Sequence, residues 1–325
     1  MALIWILKEM VMRRLIPIFG FVFTVLTLYA CDFRPLQLIT DEEHTFEGVE
    51  EIIVRGGALE VSYVGDEGAK SVSASAYLES SQPNAEGISF RRKGNRLEVF
   101  LPGNDSPLSF WTGRTKGHVH LTGPKTIRLD LEASSGVVEV TNVSGEELKF
   151  DVSSGKMLLQ DLDCTTLKIS CSSGKLEAVR VAGNVEMRVS SGMGILREVA
   201  GDVYFKGSSG SVQIKEVAGL VSGAMTSGKA TVERVQELGD LSISSGYLRV
   251  EDGGIGKDTH LSVSSGLMKV RASQSLSEFN YDFSVGSGYL TIGKESGSKD
   301  LQINNQAEHT IKGSVQSGKL ELLGR

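Results

Sequence analysis

The sequence predicts an all-β chain wound as a parallel β-solenoid (β-helix) of about ten 18-residue Ser-Ser-Gly rungs with a strand-rich N-terminal cap. Three observations carry that prediction. The dipeptide Ser-Gly recurs with its glycine at Gly136, Gly155, Gly174, Gly192, Gly210, Gly228, Gly246, Gly266, Gly288 and Gly318, at spacings of 18 to 22 residues and a final one of 30. Both flanks of the dipeptide alternate apolar and polar residues with period two, the mark of strands with one buried face. Between the repeats no 3.6-residue apolar period lasts for the roughly 10 to 12 residues a helix needs. Composition agrees: 38 glycines in 325 residues are about 12%, against a usual share of roughly 7%, and so many ask for repeated corners.

In chain order, residues 1–30 read as a signal peptide. Met12, Arg13 and Arg14 precede an apolar run over 15–30 that contains Pro17 and Gly20. This run is short for a membrane span, which takes about 20 residues, and its basic start and small-residue end fit a secretory signal. Glu9 and the residues before it fit such a leader poorly, so Met1, Met10 and Met12 are alternative starts. Leu28, Ala30 and Cys31 resemble the lipobox of bacterial lipoproteins, with Tyr29 where that motif usually has a smaller residue. The resemblance implies cleavage before Cys31 and its lipidation, giving an exported protein anchored to a membrane of the cell envelope, since two acyl chains hold stably where one does not. Asp32 resembles the inner-membrane retention signal of enteric lipoproteins, a rule that does not extend to all bacteria, and the leaflet stays open. Residues 31–45 mix charges with apolar positions at no sustained period and read as the lipidated cysteine and a tether.

Residues 46–125 are strand-rich but irregular. Candidate strands lie at 52–54, 59–63, 72–77, 88–92, 97–101 and 118–121, and the segment also holds Trp111 and most of the prolines. A solenoid end left bare exposes unpaired strand edges, so these strands are expected to form wider capping coils.

Residues 126–325 form the regular solenoid. With each repeat glycine as origin, position +2 holds Val138, Met157, Leu176, Gly194, Val212, Ala230, Leu248, Met268, Leu290 and Leu320, and position +4 is apolar in every copy. Upstream, positions −7, −5 and −3 hold Leu148, Phe150 and Val152, then Leu167, Ile169 and Cys171. A unit this short cannot bury its apolar face alone, so units must stack at about 4.8 Å per rung, roughly 50 Å for ten. The serine at −1 recurs in all ten copies, Ser135, Ser154, Ser173, Ser191, Ser209, Ser227, Ser245, Ser265, Ser287 and Ser317. Carrying the alternation through the corner turns these serines inward as a structural ladder, with hydroxyls bonding between rungs. Glycine follows either because the corner needs a positive φ or because it has no room for a Cβ. Insertions fall near 273–280 and 295–309, and the strand ending at Leu323 is expected to close the far end.

The repeated Ser-Ser-Gly with flanking alternation, as in 203–214, and the run over 123–136 resemble the bacterial "putative adhesin" β-strand-repeat family of unknown function, over about 46–323. That family is common among exported and lipid-anchored envelope proteins and has no shared catalytic motif. The resemblance implies the fold and is nearly silent on activity.

Candidate sites are few. Position +1 points outward, and Tyr247, Leu267 and Tyr289 there are expected to form a stripe about 10 Å long over three consecutive rungs, fit for a partner or a sugar ring. Glu198 and Glu216, about 5 Å apart by strand spacing, are the carboxylate pair that a polysaccharide-active enzyme would need, but charges of both signs surround them as on any solvated face. His118 and His120 share a strand face without a third ligand, so no metal site is expected. Arg91, Arg92, Lys93 and Arg96 surround a Gly94-Asn95 turn and read as a solvated hairpin tip. Cys164 and Cys171 are not rung neighbours, and Cys171 reads as a small buried hydrophobe.

A net charge of −6 with mixed signs argues against nucleic acid as a partner. The expectation is a non-catalytic, lipid-anchored envelope protein, without cofactor, whose rigid surface binds an envelope protein, a polysaccharide or another copy of itself in the manner of an adhesin or scaffold. An accessory protein of envelope-stress signalling is the alternative, and a polysaccharide-active enzyme comes third.

Overall fold

Among the described residues, alternation with period two becomes twenty-four strands and one short 3₁₀ turn, Leu276–Glu278. A computed structural model describes residues 34–82, 85–100 and 114–325; the leader, Cys31 and Trp111 lie outside them. The N-terminal strands are β1 (Gln37–Glu47), β2 (Glu51–Arg55), β3 (Glu60–Asp66), β4 (Ser71–Ser80), β5 (Ser89–Lys93), β6 (Arg96–Phe100), β7 (Thr115–Pro124) and β8 (Arg128–Ala133). Next come β9 (Val137–Val152), β10 (Lys156–Cys171), β11 (Lys175–Val189), β12 (Met193–Val199), β13 (Val203–Gly207), β14 (Ser211–Met225), β15 (Lys229–Ile243), β16 (Tyr247–Gly253), β17 (His260–Val263) and β18 (Leu267–Ala272). The chain ends with β19 (Asn280–Val285), β20 (Tyr289–Ile292), β21 (Glu295–Gly297), β22 (Leu301–Ile303), β23 (Thr310–Val315) and β24 (Lys319–Leu323).

The repeat strands pair in parallel with equivalent positions in register. Leu159 lies between Val140 and Ala178, and Ile169 between Phe150 and Met187. The result is an all-β, β-solenoid-like stack. Each turn gives one strand to a first face, following the Ser-Gly corner, and one to a second face, preceding it; β12 and β13 are separate strands on those two faces, while β10 supplies both. The +2 and +4 columns meet the −7, −5 and −3 columns between the faces, where Met157, Leu167, Leu176 and Leu196 are fully buried. Burial of each such side chain contributes about 1.5–3 kcal/mol, which is why a rung is stable only inside a stack.

Between the faces the chain turns at position +6. Asn142, Asp161, Arg180, Glu198, Glu216, Arg234 and Asp252 all have φ between 52° and 58°, the left-handed region. The turn slips the alternation by one, so that Leu159 and Leu162 are both buried across two outward residues. Only Asn142 and the aspartates among these seven suggest such a backbone, and the charged majority hid the corner from a reading based on residue type.

Both ends depart from chain order. On the first face β9 stacks on β3, and β3 on β7; on the second, β8 stacks on β2, and β2 on β6. The turn made by β2 and β3 thus lies inside the one made later by β6 and β7. At the other end β23 lies between β17 and β19, and β24 between β18 and β20. The strand ending at Leu323 therefore does not close the stack as expected: it is wedged inside, and the earlier turn of β19 and β20 lies beyond it. Antiparallel strands finish both ends, β1 and β4 against β7 and β5 against β6 at one, β21 and β22 at the other.

Candidate functional site at the Ser-Gly corner

The corner is built by backbone, and this corrects the serine reading. All ten serines at −1, from Ser135 to Ser317, are exposed rather than inward. Inward alternation stops at −3, with Val152, Cys171 and Val189, and the two residues after it both face solvent as the chain rounds the corner. The ladder runs through peptide groups: the Ser173 N–H donates to the Ser153 carbonyl at 2.7 Å, and the Ser191 N–H to the Ser172 carbonyl at 2.6 Å. Among the described residues only Ser287 and Ser317 bond hydroxyl to hydroxyl within the column, at 3.0 Å.

Close approach, not a positive φ, selects the glycine. A Cβ on Gly174 would lie 2.0 Å from the carbonyl oxygen of Gly155, and one on Gly155 would lie 1.8 Å from that of Gly136. The glycine stack ends in the order Gly246, Gly266, Gly318, Gly288, the same exchange of turns seen in the strands.

A shallow groove of about 740 Å³ follows this corner from Ser173 to Tyr247. Serine and glycine form most of its wall, with Met193, Lys229 and Tyr247 as its larger side chains. Of the predicted stripe, Tyr247 and Leu267 are adjacent and half-buried, but Lys319 separates Leu267 from Tyr289. The three are thus not on consecutive rungs, because the last turn of the chain is inserted between them. Tyr289 is 41% exposed, its hydroxyl donates to Ser296 Oγ at 3.1 Å, and the Lys319 ammonium lies 5.8 Å from its ring centre. Exposed Met193 and Tyr204 escaped the sequence reading, since each has polar residues on both neighbouring rungs, Lys175 and Ser211 beside Met193 and Glu186 and Ser222 beside Tyr204.

The remaining candidates are accounted for by neighbours. Glu216 accepts from Arg234 at 2.6 Å, and Asp161 accepts from Arg180, which holds the Asp161 carboxyl down at about 2. Glu198 and Glu216 both sit in the left-handed column on the exposed surface. The His118 and His120 rings are 4.2 Å apart; burial, then the neighbouring His120, lowers the His118 pKa, and His120 faces Glu60 at 3.6 Å. No cluster of three metal-ligating side chains occurs among the described residues. Arg91, Arg92, Lys93 and Arg96 flank a true hairpin turn, with Gly94 at φ 63° and Arg96 paired to Glu51 at 2.6 Å. Cys164 and Cys171 are free and buried, and burial pushes the Cys164 thiol up to about 11.

Comparison with known proteins adds a family. The Toastrack DUF4097 family matches residues 109–193 and 180–323. None of the curated proteins matches the chain. Among solved structures, a "putative adhesin" of Parabacteroides merdae is similar at 11% identity and a TM-score of 0.48, over 87% of this chain and 95% of that one. A "putative lipid binding protein" of Parabacteroides distasonis is similar at 13% identity and a TM-score of 0.48, over 86% and 96%. A "putative adhesin" of Bacteroides fragilis is similar at 15% identity and a TM-score of 0.39, over 88% and 97%.

Proposed function

The chain belongs to the Toastrack DUF4097 family, and from that premise we propose that it is a non-catalytic protein of the cell envelope, lipid-anchored through Cys31, whose rod of ten Ser-Gly turns is a rigid binding surface. Its ligand is an envelope protein or a polysaccharide. The observation that supports this reading best is the corner groove, because it is the part of the rod face where few charges stand and an aromatic side chain, Tyr247, closes a long shallow track. On the rest of the first face charges cancel along and across rungs, as in Glu177 with Lys175 of its own strand and Arg197 of the next, Lys215 with Glu233, and Glu321 with Lys269. Such exposed pairs contribute about 0–1 kcal/mol each and keep the surface solvated. A surface with little charge and a half-buried aromatic ring gives up less hydration when a partner docks.

The test is a glycan array on the soluble form, residues 32–325, together with crosslinking of the lipidated protein in its own envelope. Tyr247→Ser and Tyr289→Ser should weaken a captured interaction severalfold while the circular dichroism stays that of the parent. Unchanged binding by both variants removes the corner and its column as the site. Loss of binding on Cys31→Ala alone, with the rod face dispensable, would instead favour the envelope-stress accessory reading.

A further inference from the structure

The end of the stack that carries β1 and β5 differs from the rest of the surface in its charge and in its open edges. Among the described residues β1 pairs only with β4, and β5 only with β6, so each leaves one row of peptide groups without a strand beside it. The two edges stand side by side: Phe90 of β5 lies 4.8 Å from the ring of His44 and 5.7 Å from that of Phe46, both on β1. Their charges are opposite. Edge β1 carries Asp41, Glu42, Glu43 and Glu47, all exposed, and edge β5 carries Arg91, Arg92 and Lys93, also exposed. Asp41, Glu43 and Glu47 have no ion-pair partner among the described residues, unlike Asp130, Glu147 and Glu233 along the faces. At the opposite end the edge strands β21 and β22 have three residues each, too short to template another sheet.

We propose that this end is a docking surface for a second copy of the chain, joined head to head about a two-fold axis parallel to the strands. The charge pattern selects that axis. A two-fold axis perpendicular to the faces would set β1 against β1 and β5 against β5, acid on acid and base on base, which is the arrangement that charged edges exclude. The axis along the strands exchanges the two faces, so that β1 of each copy meets β5 of the other. It also preserves strand direction. Because β1 runs with β7 and β5 runs against β6, the two edges run the same way and would pair in parallel. Two equivalent acid-to-base seams result, and the contact closes as a dimer, since the short strands at the far ends leave nothing to extend. This contact is separate from the corner groove and does not depend on what the groove binds.

The full chain in detergent, studied by sedimentation over a range of concentrations, should show a dimer. R91E/R92E and D41K/E43K/E47K should each weaken it about tenfold or more, and an equimolar mixture of the two should restore it along both seams, one with the native charges and one with the signs exchanged, as expected for complementary charges. Arg91→Gln with Arg92→Gln serves if charge reversal disturbs folding. A parent chain that stays monomeric throughout, or reversed variants that dimerise as the parent does, overturns the proposal. Tyr247→Ser should leave the dimer intact, so failure here and failure of the binding reading give different results.

Discussion

At the corner, one hydrogen atom decides what residue can stand at the origin of each repeat. A methyl group on Gly174 would overlap the Gly155 carbonyl and force apart two rungs joined by hydrogen bonds on either side. Gly174→Ala is therefore expected to destabilise the fold by about 1–3 kcal/mol, the usual cost of overpacking. The other corner behaves oppositely. Glu198 holds φ 57° without the short side chain that suits it, and Glu198→Asn should raise stability by about 0.5–1 kcal/mol. Thermal unfolding of the two variants checks both signs. The apolar columns could be read from the sequence because a buried strand face imposes period two on residue type. The direction of the serines could not, since the alternation ends at Val152 and its equivalents and the backbone alone makes the corner. The left-handed column was hidden for a related reason: Arg180, Glu198, Glu216 and Arg234 are chosen for their solvated side chains, and nothing in them signals the backbone they adopt.

Strand order is where sequence spacing runs out. Every rung presents the same parallel edge, so a strand such as β24 fits against β18 as well as against β20, and the repeat contains no instruction about which. The spacings of 22 and 30 residues located the insertions correctly but not their effect, which is to let β19 and β20 swing outward and leave a slot for β23 and β24. Removing residues 304–325 would then take away an internal layer rather than a cap. Such a truncation should expose Leu261, Phe283 and Met268, which lie against the missing strands or within the same layer of core, and should cost far more than removal of the exposed 34–35. Limited proteolysis and urea midpoints compare the two deletions; similar midpoints would contradict an internal position for the last turn.

As a whole, the molecule is a row of near-identical layers held mainly by nearest neighbours, so its stability is distributed rather than concentrated. Each central layer gains from two neighbours, while the antiparallel strands at the ends have one. Amide hydrogen exchange should accordingly be slowest in β10, β11, β14 and β15 and fastest in β5, β21 and β22, with a graded fall between them. Equal protection along the row would mean that the layers unfold together.

The exchanged turns at the two ends give the chain a timetable. A simple row could grow layer by layer as the polypeptide emerges, each new turn laid on the last. Here β2 must wait for β8, which follows about 75 residues later, before its second neighbour exists, and the slot between β18 and β20 is filled only by the final residues. The middle can assemble through short-range closures, whereas both ends need long ones, which are slower. Neither end can be finished in the order in which its residues are made: each keeps a gap open until a strand from farther along the chain arrives to fill it.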